Sequence, residues 1–402
     1  MAIKPAINVH CHLLNFKCLP DKMVKLLSHI PEKLADDEWF AVAAGILFAM
    51  VPGQDYDRMK QFLRLFRKDL PDLAKAYNSE LDNIGIQIFT PLMMDLEQAT
   101  PNPGDVNLPY ESQVDVISGI ASDFPWQMFP FVMFDPRREN ADTICIQALQ
   151  SKGFLGIKMY PALGYSPDPA QLAQNNPAAA ERLTRVYEFC GDNQIPITTH
   201  ASVGGAYSTK KGINVEKNVW PFTEISNWLQ PLSKYCLKLN FAHLGGNYLH
   251  RKSAKRLQSA TWRREIINLI RWTRADDNSG LVFGDLSYHD MALKSATQEI
   301  YFNDLRETLN DGVLSQGILF GTDFSMISHT WSEDEFANTF RFRLVEALQE
   351  KIFFQNPISF LFCDAKVPDR YLDFLHNTCP DALVQLPDWI ERRDDGYYIV
   401  RC

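Results

Sequence analysis

No two of the eight cysteines stand in a C-x-x-C pair, no charged segment followed by an apolar core opens the chain, and no apolar run reaches the roughly 20 residues that a membrane-spanning helix needs. Each absence closes a class of function. Cysteines scattered at 11, 18, 145, 190, 236, 363, 379 and 402 form neither a disulfide framework nor a thiolate metal site, and a reducing cytoplasm is the expected location. The most apolar stretch, WFAVAAGILFAMV at 39–51, is too short to cross a membrane and reads as a buried or lid helix. Positive charge is scarce as well. Forty Lys and Arg against 49 Asp and Glu leave a net charge of -9, which excludes a nucleic-acid backbone as partner. The densest basic stretch, HRKSAK at 250–255, reads as a solvated helix face. Apolar material, in contrast, is plentiful: 46% hydrophobic, 12% aromatic and 22% charged residues describe a soluble globular chain with a large core and no disordered tail.

Eight short apolar runs end abruptly in polar residues. They are AINVHCH (6–12), IGIQIFTP (84–91), MFPFVMFD (128–135), FLGIKMY (154–160), IPITTH (195–200), LKLNFAH (237–243), GLVFGDLS (280–287) and GILFGTD (317–323). Continuous runs of this length suit strands buried on both faces. Segments with apolar residues three and four apart separate them, such as AERLTRVYEFCGDN (180–193) and WRREIINLIRW (262–272). Alternation of this kind predicts an α/β chain, and eight strands predict a parallel (β/α)8 TIM barrel over 1–365 rather than a six-stranded doubly wound sheet. The spacing agrees: Lys158, His200, His243, Asp285 and Asp323 follow one another at intervals of 42, 43, 42 and 38 residues. Residues 13–83, between the first and second strands, form a long insertion expected to emerge on the active-site face as a lid. Residues 366–402 read as a C-terminal extension packed on the outside.

The polar residues that close the runs form a constellation. On a strand His10 and His12 share one face while Cys11 points to the other, so Cys11 is expected to be no ligand. That H-x-H alone is either a metal fork or two ordinary histidines. Lys158, His200, His243 and Asp323 then close strands four, five, six and eight, and all converge on the carboxyl end of one barrel. Four of nine histidines at strand ends, with Asp323, suit a divalent ion that keeps an open position for water. The other five, His29, His250, His289, His329 and His376, fall in helices or loops and read as structural.

At this point the sequence resembles the amidohydrolase superfamily of metal-dependent barrel hydrolases. The resemblance lies in VHCH, GIKMYP, TTHAS, FAHLGG and FGTDFS, in that order, and in QNPISFL (355–361), which is similar to the helix after the last strand in the branch containing aminocarboxymuconate-semialdehyde decarboxylase. It implies that His10, His12, His200 and Asp323 hold a metal. It also implies that His243 is either a ligand of a second metal or a catalytic histidine, and that Lys158 is either a carboxylated metal bridge or an anchor for an acidic substrate group. Zinc is the expected ion, one or two per chain, although the same donors accept manganese, nickel or iron.

The reaction expected is hydrolysis of an amide, ester or lactone bond of a small molecule, with Asp323 taking a proton from water and passing it to the leaving group. A non-oxidative decarboxylase or hydratase of a small carboxylic acid is the alternative. A Schiff-base aldolase on Lys158 leaves four histidines idle, and a non-catalytic binding barrel leaves every ligand idle. Arg137 in FDPRR pairs either a substrate carboxylate or a surface acid; Tyr160 and Tyr288 either line the pocket or pack at its rim. Asp285 stands where it can orient a ligand histidine, and Asp95 follows strand two. Assembly into a homo-oligomer is left open.

Overall fold

The structure, a computed structural model, describes residues 4–20, 56–99, 106–203, 216–249, 254–276 and 280–401. Each apolar run holds a parallel strand: β1 (Ile7–Cys11), β2 (Ile88–Pro91), β3 (Phe131–Met133), β4 (Gly156–Met159), β5 (Pro196–Ser202), β6 (Lys238–Gly245), β7 (Leu281–Asp285) and β8 (Ile318–Leu319). Almost every strand residue is buried, as strands covered on both faces require. Helices fill the connections. Pro177–Asp192, for example, starts where the Asn176 side chain accepts from the backbone N–H of Ala179 and Pro177 takes a first-turn position that has no need of its missing N–H.

Strands β3 to β8 pair in sequence order and β1 pairs with β2, the order of a (β/α)8 TIM barrel. An uninterrupted eight-strand ladder, which the runs predict, is replaced by segments of six and two. Between β2 and β3 the reason is Pro130, which has no N–H to give; only isolated bridges cross, with the Phe89 N–H donating to the Gln127 carbonyl at 2.9 Å. Between β8 and β1 the regular ladder stops short because Asp323 adopts a φ of 68°. Backbone bonds still hold that seam: Val9 N–H to Phe320 O at 3.1 Å, Thr322 and Asp323 N–H to His10 O at 3.2 and 2.8 Å, and His12 N–H to Phe324 O.

After β1, the described part of the 13–83 segment forms helices Tyr56–Arg67 and Leu70–Asn83. The ring of Phe62 in the first meets that of His329, beyond β8, at 5.6 Å. The apolar stretch at 39–51 and residues 250–253 of HRKSAK lie outside the described residues. After β8 the chain ends in helix Asp369–Thr378 and the hairpin β9 (Ile390–Arg392) and β10 (Tyr398–Val400). Arg370 ties this helix to the barrel by donating to the carbonyls of Leu149, Phe154 and Leu155 at 3.2, 2.6 and 2.7 Å. No described helix is long and apolar enough to cross a membrane.

Candidate metal centre

The parity of a strand places His10 and His12 on one side of β1, and their Nε2 atoms stand 3.3 Å apart. What lies between them is decided from behind. The His12 Nδ1 is 2.7 Å from the carbonyl of Leu92, which only accepts, so that nitrogen carries the hydrogen. The His10 Nδ1 is 3.0 Å from Asp285 Oδ2. Burial raises the Asp285 pKa, but His10 and the other donors outweigh it and hold the carboxyl far below its usual range, so it accepts from His10. In the singly protonated ring that a metal ligand requires, Nε2 is therefore the free nitrogen of each histidine, and the two lone pairs face each other.

Asp323 completes the group. Its Oδ1 lies 3.3 Å from His10 Nε2 and 3.1 Å from His12 Nε2, is buried, and has no well-aligned donor among the described residues. Close to it, Gly321 allows the β8 backbone to pass β1, since a Cβ there would stand 2.7 Å from that of His10. Burial pushes the Asp323 pKa up, but His10 and His12 reverse the shift and keep it ionised. Burial likewise pushes the His10 pKa down, and Asp285 and Asp323 turn the net shift upward. Two imidazole nitrogens and one carboxylate oxygen, all within 4.8 Å of one another, are a donor set that calls for a positive charge, and for zinc or a similar divalent ion it is the right chemistry.

The other predicted residues surround this group. The His243 ring stands 4.9 Å from that of His10 and 5.0 Å from that of His200, and burial lowers the His243 pKa to about 4. His200 stacks on Tyr160 at 4.2 Å but belongs to neither of the close donor groups among the described residues. Lys158 is buried, with Nζ 5.7 Å from the Tyr160 ring centre and no hydrogen bond among the described residues; burial lowers its pKa to about 8 against the pull of Asp323 and Asp285. Arg137 is engaged within the protein: Nε and Nη2 meet Asp135 at 2.9 and 2.6 Å, and Nη1 meets the Leu163 carbonyl at 2.7 Å. Tyr288 is half-buried, its hydroxyl 3.4 Å from His329 Nε2. Asp95 pairs with Arg138 at 2.8 Å rather than with any histidine of the centre. Cys11 turns away, beside Tyr77 and Glu333, as the strand parity predicts.

Two groups, Ser287 and Asn240, were not read as functional from sequence. Ser287 Oγ lies 2.9 Å from Nδ1 of both His10 and His243 and donates to Asp285 Oδ1, so one hydroxyl joins both histidines to one anion. The signal for it was present, since Ser287 stands two residues beyond Asp285. Asn240, which donates to Asp285 Oδ2 at 2.7 Å, lies three residues before His243 on β6 and gave no signal.

Comparison with known proteins agrees with the fold. No curated protein sequence matches the chain. Among solved structures it is similar to 5-carboxyvanillate decarboxylase from Novosphingobium aromaticivorans, complexed with manganese and a nitrobenzoic acid, at 9% identity and a TM-score of 0.54, over 89% of this chain and 96% of that one. An amidohydrolase from Burkholderia multivorans with bound HEPES gives 13% identity and a TM-score of 0.51 over 88% and 98% of the two chains. A 2,6-dihydroxybenzoate decarboxylase with its benzoate gives 13% and 0.50 over 89% and 99%. The amidohydrolase family profile matches residues 7–362, nearly the whole chain, and spans β1 to β8 with every residue of the centre; the chain belongs to the amidohydrolase family.

Proposed function

We propose that the chain is a metal-dependent hydrolase of an amide, ester or lactone bond in a small molecule. The observation that supports it is the convergence of His10 Nε2, His12 Nε2 and Asp323 Oδ1, which has no hydrogen-bond donor among the described residues, with a hydrogen fixed on the far side of each ring. His10, His12 and Asp323 would hold the ion, with His200 as a further donor and His243 within reach of it. When bound, a divalent ion lowers the pKa of water from 15.7 to about 7 and polarises a substrate carbonyl. Asp323 takes the proton of the attacking water and delivers it to the leaving group. His243, uncharged at neutral pH, donates from Nδ1 to Ser287 and can accept one hydrogen bond at Nε2. As an ammonium, Lys158 binds an acidic substrate group, and Tyr160 and Tyr288 wall the pocket.

A decarboxylase of a small carboxylic acid is the second reading, favoured by Lys158, a buried amine with no hydrogen bond among the described residues that suits a substrate carboxylate. Metal content after purification without chelator, followed by product analysis on lactones, amides and carboxylated aromatics, separates the two. Carbon dioxide release without hydrolysis establishes the second. A folded chain that takes up no divalent ion refutes both.

A further inference from the structure

His289, which sequence alone marks as structural, is buried, and its ring packs against those of Tyr248 and Tyr301 at 6.3 and 5.6 Å. Its Nε2 is 2.8 Å from the backbone carbonyl of His243, and its Nδ1 is 2.9 Å from the Tyr301 hydroxyl. A carbonyl only accepts, so Nε2 carries the hydrogen; burial disfavours the doubly protonated ring, so Nδ1 accepts from Tyr301. The tautomer is fixed from outside the barrel.

The residue so held needs holding. His243, Leu244, Gly245 and Gly246 have φ of 63°, 41°, 85° and 83°, a left-handed run in which the first two carry side chains that disfavour it. Gly245 is required there, since a Cβ would stand 2.6 Å from the Arg263 nitrogen. The turn closes on the same carbonyl, which accepts from Gly246 N–H at 2.6 Å as well as from His289. At the other end the His243 N–H donates to Asp285 Oδ1 at 3.0 Å.

We propose that His289, oriented by Tyr301, is a positioning residue for His243: it fixes the His243 carbonyl, and with it the strained backbone that turns the imidazole toward the metal centre and its Nδ1 hydrogen onto Ser287. The inference goes beyond the proposed reaction, because the orientation of His243 matters equally to a hydrolase and to a decarboxylase.

The test follows the imidazole nitrogens directly and needs no substrate. In protein labelled with ¹⁵N-histidine and loaded with Zn²⁺, the His243 Nδ1–H signal, assigned through His243→Gln, should be sharp and slow to exchange. His289→Leu, similar in volume but without polar groups, should broaden or shift that signal while the His10 and His12 signals and the zinc content stay as in the parent. His289→Gln, which keeps a donor for the carbonyl and an acceptor for Tyr301, should restore it. Tyr301→Phe should weaken it without loss of zinc, and this variant decides the matter if His289→Leu fails to fold. An unchanged His243 signal in both His289→Leu and Tyr301→Phe overturns the proposal; so does simultaneous loss of the His10, His12 and His243 signals in a folded Tyr301→Phe, which would mark a purely structural role. Failure of the hydrolase reading leaves these signals untouched.

Discussion

Replacement of Asp285 by Asn changes one oxygen to NH2 and nothing in shape, yet the structure makes it costly. Asp285 is fully buried and serves donors on both oxygens: His10 Nδ1 at 3.0 Å and Asn240 Nδ2 at 2.7 Å on Oδ2, and His243 N–H at 3.0 Å, Ser287 N–H at 3.1 Å and the Ser287 hydroxyl on Oδ1. Whichever way the amide turns, its NH2 faces at least two donors. Each buried donor deprived of its acceptor costs about 1–3 kcal/mol, so Asp285→Asn should destabilise the fold by about 4 kcal/mol. At about 2.1 cal/mol/K per residue over the whole chain, that is a fall in Tm of about 5 °C. Metal affinity should fall as well, because His10 loses the anion that keeps its hydrogen on Nδ1; loss of such a partner behind a ligand histidine typically costs about 10- to 100-fold. Calorimetry of the metal-free protein and competition with a chromophoric chelator give the two quantities. A variant that binds zinc within about twofold of the parent and melts at the same temperature would refute the reasoning, since His10 would then not depend on Asp285 for its tautomer.

Three further outcomes are expected. Burial raises the Glu333 pKa from 4.5 to about 8, with Glu80 and Asp323 adding to the rise and Thr322 and Tyr77 opposing it, so the folded chain holds a proton that the unfolded chain has lost. The stability that depends on this proton is therefore full below about pH 4.5 and disappears as pH approaches 8; Glu333→Gln should flatten the decline in Tm between these limits, and an identical pH dependence in the variant counts against a buried neutral acid. Lys158→Met removes a buried amine that has no hydrogen bond among the described residues and should raise the Tm of the metal-free protein while metal content stays constant; loss of metal instead identifies Lys158 as a carboxylated ligand. Arg370→Ala leaves three carbonyls without their donor and should cost about 3 kcal/mol, seen as earlier urea unfolding, whereas an unchanged midpoint shows that the C-terminal helix is held by its apolar contacts alone.

The order of strands, the face to which His10 and His12 turn and the convergence at the carboxyl ends were determined by sequence alone. Their causes are local: a run of apolar residues has no other place than a strand covered on both sides, and parity fixes which side chains share a face. Asp285 was legible for the same reason, as the polar residue closing β7. What only the tertiary structure decided is everything that depends on partners distant along the chain. The hydrogen on His12 sits on Nδ1 because the Leu92 carbonyl, 80 residues away, happens to lie at 2.7 Å. Arg137 carries no mark in sequence of whether it faces substrate or Asp135, and the buried bidentate pair is a result of packing. His289 looked like any loop histidine because its acceptor is a backbone carbonyl, a group every residue possesses and no sequence pattern distinguishes. Side-chain identity can be read from the chain; which atom of a neighbour stands within three ångströms is settled only once the barrel has brought its strand ends together.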